Sequence, residues 1–150
     1  MNEQILDCLR EVFERETPFS SFLGIKIVLD GEGRPTLFME MKEVCIGNYV
    51  QNILHGGVIA TLLDIMGAVI AVGCVLEKLE GHPRQDMMKK FEKLGTIDMR
   101  VDYLRPGRGK YFTATGEAMR VGNKVSVTRT ELRNDENVLI AVGTGTYMVG

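Results

Sequence analysis

His55-Gly56-Gly57 stands directly before a long apolar run, and Asp64 is the one ionisable residue inside that run. If the run is a helix, the N–H groups of its first turn have no partner within the helix, and two residues without side chains leave them open to an approaching oxygen. Such a helix start can receive a developing oxyanion. Asp64 lies seven residues after Gly57, about two turns or roughly 10 Å further along the axis, and a carboxylate there can serve as base or nucleophile. The same residues also admit a purely structural reading. Asp64 would then cap a loop or pair with an arginine of another strand, the glycines would permit close packing, and His55 would be an ordinary boundary histidine. Burying the carboxylate without a partner is unfavourable, so a lone acid beside a glycine-flanked helix start points to chemistry.

The elements that must position these residues follow from periodicity. Gly56 to Leu76 is apolar on nearly all faces, as Val58, Ile59, Leu62, Leu63, Ile65, Met66, Val69 and Ile70 show, which fits a helix wrapped by protein. Its length matches a bilayer span, but Asp64 near its midpoint would cost roughly 2.5–3.5 kcal/mol on insertion, and no membrane insertion is expected. Ahead of it, Ile5, Leu6, Leu9, Val12 and Phe13 recur at helical spacing over residues 3–15, and Thr17-Pro18 is read as the stop. Strands are expected at 24–30 and 36–42 around the turn Gly31-Glu32-Gly33-Arg34-Pro35, followed by a loop over 43–54. Met87, Met88, Phe91 and Leu94 suggest a short second helix after Pro83, docked on the core or lining a tunnel for a flexible ligand.

The last third reads as strand. From Thr96 to Leu104 the pattern alternates, with Ile97, Met99, Val101 and Tyr103 on one face and Thr96, Asp98, Arg100 and Asp102 on the other. Further strands are expected at 111–121, 125–133 and 138–149, turned at Gly122-Asn123 and at Asn134 to Asn137. The fold class is therefore α+β: a curved antiparallel sheet of about six strands wrapped around one long apolar helix, with an N-terminal helix and a short extra one. Residues 1–150 are expected to form a single domain. One sheet cannot enclose the helix completely, so its open side should be covered by a second copy of the chain.

Composition narrows the partners. Eighteen Lys and Arg against twenty Asp and Glu give a net charge of −2, without the basic excess that phosphate contacts require, so nucleic acid is excluded as a partner. Cys8, Cys45 and Cys74 are odd in number and unpaired in pattern, and the N-terminus has no secretory character, so a reducing, cytoplasmic location is expected. No metal site is signalled. Gly143 and Gly145 do not form a dinucleotide fingerprint, because Met148 breaks the spacing and no helix follows.

Ile46-Gly47-Asn48, the run from Leu54-His55-Gly56-Gly57 to Asp64, and Gly95-Thr96 through Arg108-Gly109 together resemble the hotdog-fold acyl-CoA thioesterases of the PaaI-like superfamily, nearest to its YigI-like medium- and long-chain branch. The resemblance spans roughly residues 18–149. It implies hydrolysis of an acyl-CoA to free acid and coenzyme A, with no cofactor beyond the coenzyme A of the substrate. It implies that Gly57 N–H is the oxyanion donor, that Asp64 of the opposite subunit is nucleophile or general base, that His55 positions the thioester and that Thr96 orients water. Asn48 matches the family asparagine, although it stands seven residues before His55 where the group has six; Tyr49 occupies that place here, and Asn52 is the other candidate. Gly56, Tyr103 and the turn Gly122-Asn123-Lys124 are implied to contact substrate, the turn at its nucleotide portion. Arg105 is either a phosphate ligand or a structural turn residue. The implied assembly is a homodimer with active sites at the interface, or a dimer of dimers. The alternative is a noncatalytic acyl-CoA-binding or regulatory domain on the same fold, which would bind the ligand without turnover. A hydratase finds no support, since the helix has no glutamate in the catalytic place.

Overall fold

The computed structural model describes residues 1–150. Its centre is α3 (Gly56–Glu77), whose residues Leu62, Leu63, Met66, Val69 and Val72 are buried because a sheet curls around them. The sheet has six antiparallel strands: β1 (Lys26–Leu29), β2 (Pro35–Glu40), β5 (Gly95–Tyr103), β6 (Tyr111–Val121), β7 (Val125–Asn134) and β8 (Leu139–Met148). Their order is β1-β2-β6-β7-β8-β5, so β1 and β5 are the two edges. This is the hotdog arrangement expected from the sequence. The helix that could cross a membrane by length and composition is instead the core of the fold, packed on β6, β7 and β8.

Wrapping is incomplete. Val58, Thr61, Asp64 and Ile65 form a stripe along α3 that remains partly exposed, beside the edge strand β5. That stripe is where the candidate chemistry sits.

The N-terminal region departs from the expected single helix. α1 (Glu3–Arg10) runs into a π-helical turn over Glu11–Glu16, closed by the Thr17 N–H donating to the Val12 carbonyl at 3.1 Å. Thr17-Pro18 is then not a stop but a start: Pro18 opens α2 (Pro18–Leu23), where its missing N–H is no loss, and Gly24 at φ +71° ends it. Likewise the expected loop at 43–54 holds a 3₁₀ turn (Glu43–Cys45) and a small ribbon of β3 (Ile46–Asn48) and β4 (Ile53–Leu54). The short helix after Pro83 is α4 (Arg84–Met88) continued by a 3₁₀ turn over Lys89–Lys93. Arg84 ties α4 to α1 through Asp7 at 3.2 Å and to the π turn through Glu11.

The strict alternation expected along β5 fails at one residue. Thr96 pairs with Tyr147 and Asp98 with Thr146, so Ile97 is the extra residue of a bulge and is 56 % exposed. A bulge puts the residues on its two sides on faces that simple alternation would not give them. Thr96 thereby joins Met99, Val101 and Tyr103 on the face turned to α3, instead of Asp98, Arg100 and Asp102 on the outer face.

Candidate active site

The start of α3 is fixed from three sides. Leu54 N–H donates to the Gly107 carbonyl at 2.9 Å and His55 N–H to the Cys45 carbonyl at 2.8 Å, while a Cβ on Gly47 would come within 2.5 Å of the His55 Cα. Only a glycine lets β3 approach so closely. His55 is the N-cap residue, and its Nδ1 accepts from Gly57 N–H at 2.8 Å. An accepting Nδ1 places the ring proton of neutral His55 on Nε2. The Val58 and Ile59 N–H groups both turn to the His55 carbonyl. Gly57 N–H, the donor expected for an oxyanion, is therefore held by the neighbouring imidazole in this state, and Gly56 N–H is the first-turn donor left free.

Tyr103, at the far end of β5, lies over this helix start. Its hydroxyl donates to the Gly56 carbonyl at 2.9 Å, and its ring stands at contact distance, 3.5 Å, from where a Gly56 Cβ would be. Asn48 serves its own loop: its Oδ1 accepts from Val50 and Gln51 N–H, each at 3.1 Å. Asn52 holds a left-handed φ of +53° in the same turn. Arg108 secures that turn by donating to the Gln51 carbonyl at 2.7 Å, and Arg105 donates to the Leu139 carbonyl at 3.0 Å, a structural contact at the strand end.

Asp64 is half-buried, and its partner is not an arginine. Its Oδ1 accepts from the Thr96 hydroxyl at 2.8 Å, a contact that exists because the bulge at Ile97 turns Thr96 inward. The turn of α3 carrying Asp64 is itself held, since the Tyr147 hydroxyl donates to the Asp64 backbone carbonyl at 3.0 Å. Tyr147 is buried, threaded between Gly67 of α3 and Gly145 of β8, where any Cβ would collide with its ring. Burial pushes the Tyr147 phenol far above its ordinary range, with the nearby Asp64 charge acting in the same direction, so it remains a donor. Sequence reasoning passed over Tyr147. Lone glycines within an apolar helix and an apolar strand were the available signal that something large crosses there.

The three cysteines are raised in pKa chiefly by burial, so they stay as thiols and offer no nucleophile. No group of three or more His, Cys, Asp or Glu side chains converges as a metal-ligand set. The turn Gly122-Asn123-Lys124 lies at the other end of the molecule, where Gly122 and Asn123 line a cavity of about 280 Å³ with Lys78, Leu79 and Lys90 beside the C-terminus of α3. Met87 is fully buried, and Phe91 meets Phe13 edge-on with ring centroids 6.1 Å apart, which fits the docking role for this segment.

Within one chain these groups form two sets. His55, Gly56 and Tyr103 cluster at the start of α3; Asp64 and Thr96 cluster eight residues further on from Gly56, roughly 12 Å along the axis. A reacting carbonyl must lie about 3 Å from both the attacking group and the oxyanion donors. No single chain meets that condition.

Comparison with known proteins agrees with the fold. A family model described as the thioesterase superfamily matches residues 51–141. The medium/long-chain acyl-CoA thioesterase YigI of Escherichia coli is 43 % identical over 148 residues, covering 99 % of this chain and 96 % of that protein. A crystal structure of a thioesterase-superfamily protein from Shewanella oneidensis superposes with a TM-score of 0.89 at 45 % identity, covering 98 % of this chain and 96 % of that one. A Bacillus halodurans protein crystallised with coenzyme A shares the fold, with a TM-score of 0.72 at 22 % identity over 100 % and 95 % of the two chains.

Proposed function

The chain belongs to the thioesterase superfamily, and from that premise we propose that it hydrolyses medium- to long-chain acyl-CoA thioesters at sites shared between two copies of the chain. The observation that carries the proposal is the layout of β5. This unpaired edge strand has the Gly56–Tyr103 contact at one end and the Asp64–Thr96 contact at the other. Antiparallel pairing of β5 with its own copy about a two-fold axis near Met99 sets Tyr103 of one protomer opposite Thr96 of its partner. His55 and Gly56 of one protomer then face Asp64 of the partner subunit, and the two half-sites become two whole ones.

In that setting the thioester oxygen takes the free Gly56 N–H, with Gly57 N–H joining when the His55 ring turns to the substrate. Thr96 donates to Oδ1 of Asp64, which leaves Oδ2 to accept a proton from water. The water oxygen bonds to the carbonyl carbon, the C–S bond breaks, the proton passes to the departing thiolate, and the products are the acid and coenzyme A. The similarity to YigI supports the chain-length class. The lysines near Gly122 to Lys124 suit the phosphates of the nucleotide portion, and Asn48 remains within the loop flanking His55.

Coenzyme A release from acetyl- through palmitoyl-CoA tests the proposal. Asp64→Asn lowers kcat about 10²- to 10⁴-fold, the range of a lost general base, and leaves the fold intact. Mixing Asp64→Asn with His55→Ala protomers restores about a quarter of wild-type activity, because half of randomly assorted dimers carry one whole site. No recovery on mixing removes the shared site. Tight binding with no turnover by the wild type makes the chain a binding module. Single turnover in oxygen-18 water places label in the product acid when Asp64 acts as base, and in Asp64 in place of the acid when Asp64 attacks and water opens the resulting anhydride at the Asp64 carbonyl.

A further inference from the structure

Beside Asp64 lies a cavity of about 310 Å³ between α3 and the N-terminal segment. Its apolar wall comes from Phe13 of the π turn, Phe19 of α2, Ile65 and Ala68 of α3, and Leu94. The threonine and tyrosine hydroxyls in the wall are already engaged. The Thr17 hydroxyl donates to the Val12 carbonyl at 2.7 Å, that of Thr61 to the Gly57 carbonyl at 2.8 Å, that of Thr96 to Asp64, and that of Tyr147 to the Asp64 carbonyl. The Ser20 hydroxyl is fully buried and has no hydrogen-bond partner. The Asp64 carboxylate is the one charged group the cavity offers, and apart from the Ser20 hydroxyl the remainder suits a hydrocarbon.

We infer that this cavity holds the acyl chain, and that the N-terminal segment, through Phe13 and Phe19 facing Ala68, sets its length. The inference rests on the thioesterase reading and names the subsite. The volume supplies the scale: a cavity of about 150 Å³ accommodates benzene, roughly 25 Å³ per carbon, so about 310 Å³ takes about a dozen carbons. Phe13 forms the end stop, because its ring is backed edge-on by Phe91. Ala68 stands one helical turn beyond Asp64, where a larger side chain fills the space an acyl chain would occupy. The extended backbone of Thr17 (φ −84°, ψ 109°) turns the chain between the π turn and α2, and Phe13 of the one and Phe19 of the other both line the cavity with Asp64.

The test compares Ala68→Leu, Phe19→Ala and, as a control outside the cavity, Phe22→Ala. Two readouts are taken: kcat/KM along an even-numbered acyl-CoA series, and calorimetric binding of dodecanoate, the product acid. For wild type, kcat/KM rises about fourfold per added methylene and levels off near twelve carbons. Ala68→Leu moves that plateau to shorter chains, lowering kcat/KM on dodecanoyl-CoA and weakening dodecanoate binding about tenfold or more, with butyryl-CoA within about twofold. Phe19→Ala, at an exposed rim position, weakens the longer chains several-fold, and Phe22→Ala leaves the profile unchanged. Turnover with a chain-length profile that Ala68→Leu leaves parallel to wild type overturns the subsite while the thioesterase reading stands. Dodecanoate binding that Ala68→Leu weakens, with no turnover of any ester, upholds the subsite and removes the activity.

Discussion

The two edges of the sheet are treated in opposite ways. At β1 the N-terminal segment blocks the free edge with side chains: Arg10 Nε donates to the Ile27 carbonyl at 3.0 Å, Glu14 accepts from the Ile27 N–H, and Lys26 lies 3.7 Å from Glu14. At β5 nothing is blocked. Nine residues run along that edge without a neighbouring strand, and Ile97, Tyr103 and Leu104 are each about half exposed or more, at 56 %, 55 % and 49 %. An open apolar edge of that length invites pairing, whereas a blocked one refuses it. The candidate chemistry follows the open edge, since Thr96 and Tyr103 are both on β5 and hold Asp64 and Gly56 respectively.

Closing the open edge should break this contrast with the largest effect. Ile97→Lys places a charge on the exposed side chain of the β5 bulge, with retention of the Asp64–Thr96 pair checked by the unchanged fold of the variant. It is expected to yield monomers by light scattering and to cut kcat by about 10²-fold or more, because each chain keeps only half of each site. A fully active dimer from this variant would send the interface elsewhere.

Unblocking the other edge should do less. Glu14→Ala removes a nearly buried carboxylate that takes the Ile27 N–H and should lower stability by about 1–2 kcal/mol, read as a fall of roughly 3–6 °C in Tm for a chain this size. Dimerisation and kcat should hold at wild-type values. If they fall together with Tm, the two edges are not independent.

The smallest effect lies between the edges. Tyr147→Phe removes the hydrogen bond to the Asp64 carbonyl, worth about 0.5–1.5 kcal/mol, and leaves the assembly unchanged. Its sign with pH is definite. The folded state holds the phenol protonated beyond the ordinary tyrosine range, whereas the unfolded chain releases that proton near pH 10. Above that pH the folded state binds more protons, and stability falls as pH rises. Denaturation curves taken from pH 9 to 11 should therefore steepen for wild type relative to Tyr147→Phe; identical slopes would show that the phenol is not held this way.

Much of this was legible in the residues themselves. A run apolar on nearly all faces, from Val58 to Ile70, with Asp64 inside it, fits a helix wrapped by other chain, and the alternating runs after residue 95 fit strands. Together they specify an apolar helix covered by a sheet of about six strands, because local periodicity decides which side chains must leave water; the resemblance carried by the His55-to-Asp64 run implied the hotdog form of it. His55-Gly56-Gly57 marked the helix start for the same local reason. The tertiary structure decided what no local pattern encodes. Thr96 meets Asp64 only because a bulge at Ile97 reverses its face. The helical hook over residues 11–23 took its shape from packing on β1 and α3, so Thr17-Pro18 became a start and not a stop. Gly57 N–H was claimed by the His55 ring, and Gly56 N–H was left free. Each of these depends on groups distant in sequence or on competition for one donor, and such outcomes are settled by packing and hydrogen-bond geometry across the whole fold, after periodicity has fixed the elements.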